Sequence, residues 1–171
     1  FMICRNCKKS KFLKLSNIGY QPISSIFLKS KREIKNYSLD LFKCKFCDLV
    51  QLSKIANLKD MYGIDYGYKT SVSQLMINHL KEKFDRFKKL NILKNNSNIL
   101  DIGSNDGTFL NFFVNKKNNL NLYGIDPSAS AFLDDYNRKI KIIIDFFNQK
   151  TVKKFFVNEK NIKFSLITSF A

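Results

Sequence analysis

The sequence has no run of eighteen apolar residues, so no segment is expected to span a membrane. No secretory signal is expected from Phe1-Met2-Ile3, which is too short and meets charge at Arg5. Together these absences point to a cytoplasmic chain. Histidine occurs once, at His79, and the four cysteines form two matched pairs with none left over. No internal repeat is evident. Neither the G-x-G-x-x-G dinucleotide fingerprint nor the G-x-x-x-x-G-K-[ST] phosphate loop is present, and Asn105 stands where the first would need its second glycine.

Acidic residues are scarce, 14 against 30 Lys and Arg, for a net charge of +16. Charge of that sign is a footprint of nucleic-acid binding. Here the lysines are scattered among abundant Asn, Ile and Phe, as an AT-biased coding sequence would give. A lysine-rich solvated surface is the plainer reading and nucleic acid the less favoured one. The same surface would attract an anionic nucleotide-linked substrate. A hydrophobic fraction of 44% with 17 phenylalanines can supply a core, and 171 residues suffice for a small module followed by part of a larger domain.

Three zones follow one another. Residues 1–60 carry all the cysteines, with short strands expected at Ser38–Phe42 and Leu49–Leu52. Residues 61–92 hold a tyrosine-rich loop, Met61 to Tyr68, and a connecting helix. Ser71 and Gln74 have capping-box spacing, and Val72, Met76, Leu80, Phe84 and Phe87 form one apolar stripe reaching about Leu90. His79 falls on or beside that stripe and reads as a packed or ligand-adjacent histidine. Residues 93–171 alternate: strands at Ile99–Ile102, Leu120–Ile125, Ile140–Ile144 and Phe164–Thr168, and helices at Thr108–Lys116, after Pro127, and at Lys150–Asn158. That alternation predicts an α/β fold, the first half of a doubly wound, Rossmann-like parallel sheet covered on both faces.

Cys4-Arg5-Asn6-Cys7 and Cys44-Lys45-Phe46-Cys47 are separated by thirty-six residues. A two-residue spacing lets both thiolates of a pair turn toward one ion, and two pairs complete a tetrahedron. The alternatives are two disulfides or four free thiols, which a reducing compartment disfavours. Four protein thiolates leave no coordination position open, so the zinc would be structural.

Asp101-Ile102-Gly103-Ser104-Asn105-Asp106-Gly107 follows the first strand of the third zone and opens a helix. Its glycines permit close backbone approach by a ligand, and the helix start presents N–H groups. Asp126, in Gly124-Ile125-Asp126-Pro127, ends the second strand, where an acid can accept ribose hydroxyls. It can equally be a helix N-cap, or do both. Asp145-Phe146-Phe147, past the third strand, could lie against an adenine ring.

This order resembles the class I methyltransferases: D-x-G-x-x-x-G, then G-I-D about twenty residues on, then an acid after the third strand. The resemblance implies S-adenosylmethionine as cofactor, bound at Asp101, Gly103, Asn105 and Gly107, with the two glycines lining its methionine portion. It further implies Asp126 on the ribose, and Asp145 and Phe146 near the adenine. The wider combination is narrower still. The two C-x-x-C pairs, Asp48-Leu49-Val50-Gln51-Leu52, Tyr66-Gly67-Tyr68-Lys69-Thr70-Ser71-Val72-Ser73 and His79 all precede the glycine loop. In this the chain is similar to the zinc-containing sugar C-methyltransferases, which methylate nucleotide-linked 4-keto-deoxy sugars. Thr70 replaces the first serine of that family's Y-x-Y-x-S-S-x-S and keeps the hydroxyl. The resemblance implies an enzyme of which this is the N-terminal part, its proposed base lying in a His/Glu motif beyond the fourth strand. Tyr66 and Tyr68 are the candidate active-site groups here, able to hydrogen-bond cofactor carboxylate or enolate, or simply to pack the loop onto the sheet.

Overall fold

A computed structural model describes residues 2–24, 26–28, 30–63, 65–114, 118–157 and 162–170. It divides into two compact units, Phe1–Asp65 and Tyr66–Ala171. Among the described residues no helix is long and apolar enough to cross a membrane.

The first unit is a three-stranded antiparallel sheet in the order β1 (Phe12–Pro22), β2 (Asn36–Cys44), β3 (Val50–Leu52). Strands β2 and β3 fall where alternation places them. β1 is not anticipated by the sequence: its eleven residues mix lysine, serine and asparagine with apolar positions, and nine of them are exposed. It is a strand because it pairs with β2 from Phe12↔Cys44 to Pro22↔Asn36, with register shifts between Lys14 and Ser16 and between Asn17 and Tyr20. A short helix, α1 (Leu58–Met61), follows, its first turn capped by the Asn57 side chain on the Lys59 amide.

In the second unit the long helix α2 (Gln74–Lys89) buries Leu80 and Phe84 and packs Met76 and Phe87 against the same core. The stripe is as expected except at its start. Ser73, not Ser71, is the N-cap, accepting from the Met76 amide, and Thr70–Val72 forms a 3₁₀ turn that leaves Val72 79% exposed. His79 is exposed, so it is not a packed histidine. The segment that reads in the sequence as a connection is, from Tyr66 onward, part of this unit.

Strands β4 (Asn98–Ile102), β5 (Asn121–Ile125), β6 (Ile140–Ile143) and β7 (Leu166–Ser169) form one parallel sheet in the order β6-β5-β4-β7. Neighbouring residues go to opposite faces. Ile99 and Leu122 join Leu80, Phe84, Phe109 and Phe113 on one side, whereas Leu100, Tyr123, Ile125 and Ile143 join Phe156 on the other. Burial on both faces explains why these strands read as short, mostly apolar runs. Edge-on ring contacts, 4.8 Å between Phe84 and Phe113 and 5.2 Å between Phe109 and Phe113, fill the first core.

The connections are shorter than expected. The helix anticipated over 108–116 is α3 (Thr108–Asn111) followed by turn to Val114; Asn115 and Lys116 lie outside the described residues. After Pro127 there is no α-helix but two 3₁₀ turns, Ala129–Ala131 and Leu133–Asp135. Asp134 and Asp135 fall in the second of these, and its backbone returns to Tyr136 after one turn. Helix α4 (Gln149–Phe155) is capped by Asn148, and the expected Asn158 lies outside the described residues.

Candidate functional site

The two cysteine pairs adopt one conformation twice. The Cys4 amide donates to the Lys9 carbonyl (2.8 Å) and the Lys8 amide to the Cys4 carbonyl (3.0 Å). In the second pair the Cys44 amide donates to Leu49 (2.9 Å) and the Asp48 amide to Cys44 (3.1 Å). The residue after each second cysteine is left-handed, Lys8 at φ 64° and Asp48 at φ 60°. This closing turn aims both thiols of a pair to one side.

All four Sγ atoms lie within 4.8 Å of one another, with Cys4–Cys47 at 3.5 Å and Cys7–Cys44 at 3.6 Å. A tetrahedral zinc with bonds of about 2.3 Å sets its sulfurs about 3.8 Å apart. The cluster fits. The thiols are unlike one another: the Leu49 amide draws Cys47 down to about 6. Cys7 accepts from the Lys9 amide, yet burial and the three neighbouring sulfurs push it up to about 11. Zinc would replace the protons of all four. Gln51, buried in β3, braces the first pair by accepting from the Arg5 amide (3.0 Å) and donating to the Ile3 carbonyl (3.3 Å). The sequence shows Gln51 only as part of a motif and gives no hint of that role.

In the second unit the glycine loop leaves β4 at the carboxyl edge of the sheet. Gly103 and Gly107 both have φ 74°. A Cβ on Gly103 would meet nothing within 4 Å, so this side of the loop is open. A Cβ on Gly107 would sit 2.5 Å from the Tyr136 ring, so the opposite side is filled. The Tyr136 hydroxyl donates to the Asn105 carbonyl (2.7 Å) and accepts from Ser104 Oγ (2.8 Å). Burial pushes this phenol above its ordinary range, with nearby carboxylates adding to the effect. Tyr136 is thus a buttress behind the loop, and its separation of some thirty residues from it leaves no signal in the sequence.

Asp126 is buried and already engaged. Its Oδ2 accepts from the Asn105 amide (2.9 Å), and its Oδ1 accepts from the Ser128 amide (2.7 Å) and hydroxyl (2.5 Å). It is not the N-cap of the turn after Pro127, a position Ser128 holds, but it braces that turn through Ser128 and ties it to the glycine loop. A carboxylate has about four acceptor positions, so about one remains, on Oδ2. Asp101, 3% exposed in β4, accepts from Thr168 Oγ1 (2.7 Å). Burial raises its carboxyl to about 7, opposed by the Thr168 bond and reinforced by Asp126. Asp145 follows β6, accepting from the Phe146 amide (2.7 Å) and Thr151 Oγ1 (3.0 Å). These three acids stand at or just past the ends of three adjacent parallel strands.

Asn105, at φ 49°, engages the tyrosine segment with its side chain. Its Oδ1 accepts from the Thr70 amide (2.9 Å) and hydroxyl (3.0 Å), and its Nδ2 donates to the Tyr68 carbonyl (2.9 Å). Asp106 accepts from the Ser71 amide (2.8 Å) on one oxygen and from Thr108 on the other. Lys69 pairs with Asp135 at 2.8 Å. The tyrosine segment is thereby fastened beside the loop, with the Tyr66 and Tyr68 rings 6.4 Å apart. Asp106 is 1% exposed, and nothing in the sequence singles it out although it lies in the glycine loop.

A four-cysteine knuckle module followed by a parallel α/β unit is the class these features define. Residues 4–62 match the Methyltransf_13 family model, described as "Putative zinc binding domain". The matched stretch contains all four cysteines of the cluster, so the N-terminal module is similar to that family of zinc-binding domains. No curated protein matches the chain.

Proposed function

We propose that the second unit binds S-adenosylmethionine, and that the chain is the N-terminal part of a C-methyltransferase acting on a nucleotide-linked keto-deoxy sugar. The observation that supports this most is the asymmetry of the glycine loop. It is buttressed by Tyr136 behind Gly107 and open in front of Gly103, with Asp101, Asp126 and Asp145 at the ends of three adjacent strands. Ligands of open parallel sheets bind at this edge. Neither a Walker-type loop nor a dinucleotide fingerprint is present to favour a nucleoside triphosphate or a dinucleotide.

In this reading the cofactor supplies an electrophilic methyl group, and this chain's residues hold its non-reacting parts. Gly103 lets the backbone approach the methionine portion. The remaining acceptor position of Asp126 takes a ribose hydroxyl, and Asp145 with Phe146 borders the adenine. Tyr66 and Tyr68, set next to the loop, can donate to the cofactor carboxylate or to an enolate oxygen. Such positioning is what a methyl transfer between two carbons needs. The four-thiolate zinc would have no open position and would serve the fold. The basic surface suits a substrate carrying a diphosphate.

Calorimetric titration with S-adenosylhomocysteine tests the assignment. The chain should bind it, and Asp126→Asn should weaken binding by about tenfold or more, the scale of a hydrogen bond to a charged group. Thermal unfolding of the variant serves as the control for the loop ties that Asp126 also makes. Equal affinity in a folded Asp126→Asn protein would remove the ribose assignment.

A further inference from the structure

We propose that Asn105 is a positioning residue that couples occupancy of the glycine loop to the placement of Tyr66 and Tyr68. This rests on the reading of the loop as the S-adenosylmethionine site. Asn105 faces two ways. Its backbone N–H donates to Asp126 Oδ2, the oxygen to which the proposed function assigns a ribose hydroxyl. Its side chain holds the Tyr68 carbonyl, the Thr70 amide and the Thr70 hydroxyl. One residue therefore joins the ligand's anchor to the tyrosine segment through two hydrogen-bonded links.

The geometry has a reason to use asparagine. The position requires a left-handed backbone, φ 49°, which asparagine adopts more readily than other side-chain-bearing residues. The side chain must both accept from Thr70 and donate to the Tyr68 carbonyl, and a planar amide does both. Aspartate would keep the acceptor and lose the donor. Glycine would keep the backbone and lose both. Asn105 is 7% exposed, and the Tyr136 hydroxyl fixes its carbonyl, so the residue has little freedom to turn independently. A shift of Asp126 toward a ligand would be felt by the Asn105 amide and passed to the segment carrying the tyrosines.

Hydrogen exchange at single amides distinguishes the possibilities, because it reads local opening and not only global stability. In the free protein, Asn105→Gly should speed exchange at the Thr70 amide by about tenfold, the scale of one lost hydrogen bond, with the β4 amides unchanged. Asn105→Asp should restore most of that protection. Saturating S-adenosylhomocysteine should slow the Thr70 and Ser71 amides of the native chain by about tenfold. In Asn105→Gly, with S-adenosylhomocysteine raised until the loop is saturated, Thr70 exchange should not respond to the ligand. Unchanged Thr70 exchange in free Asn105→Gly would overturn the fastening role. Ligand binding that leaves Thr70 and Ser71 exchange unaltered in the native chain would overturn the coupling alone. A native chain that fails to bind the ligand would overturn the coupling together with the proposed function.

Discussion

The ring of Tyr136 occupies the space that a Cβ on Gly107 would need, with its nearest carbon 2.5 Å from that position. The glycine is thus required twice, once for its φ of 74° and once for the ring. Gly107→Ala should destabilise the second unit by about 3 kcal/mol, combining left-handed backbone strain with overpacking. Urea denaturation would measure this. Measured in a Tyr136→Ala background, the same Gly107→Ala change should cost only the strain part. A loss below about 1 kcal/mol would mean that the ring moves aside without cost.

The zinc assignment predicts one ion per chain by elemental analysis, and its loss in Cys47→Ser. Binding to such a site is folding free energy, about 10 kcal/mol or more for small four-ligand modules at neutral pH. Chelation should therefore unfold the N-terminal unit while the parallel sheet persists. A metal-free chain whose first unit keeps its native amide spectrum would contradict the assignment.

Asp101 should make stability depend on pH in a direction opposite to most carboxylates. Its folded pKa is raised to about 7 by burial, against an ordinary value of 3.8. Between these values the folded state holds a proton that the unfolded state has released. Stability from this group is thus complete below about pH 4, falls as pH rises, and levels off above about 7, a span of about 4 kcal/mol at most. Urea midpoints of the native chain and Asp101→Asn across that window provide the check. The variant, neutral at every pH, should lose this decline.

The parallel sheet is legible in the sequence because burial on both faces leaves short, mostly apolar runs such as Leu122–Ile125, and each run is local. The acids at the ends of β4, β5 and β6 are legible for the same reason, since position follows from strand ends. Strand β1 is hidden because its residues are mostly solvated, and only pairing with β2 makes it a strand. The helix anticipated after Pro127 does not form, because Asp126 and Ser128 turn the chain into short 3₁₀ segments instead. Asn105 reads as a substitute in a glycine fingerprint. Its contacts to Tyr68 and Thr70 span more than thirty residues, and no periodicity encodes such a contact. The roles of Tyr136 and Gln51 are hidden on the same ground.

The pairing of Phe12 with Cys44 puts a metal ligand at the first rung of the β1–β2 ladder, while the Lys45 amide bonds to Lys11 just beyond it. A one-residue slip would turn every side chain of a strand to the other face, and solvated strands resist slipping poorly. β1 is such a strand, and it carries two irregularities. An ion held between the knuckle that precedes β1 and the knuckle that ends β2 would permit only one alignment of the two strands. Zinc would then choose the ladder's phase as well as strengthen the module, and a chain folded without it would be free to pair out of step.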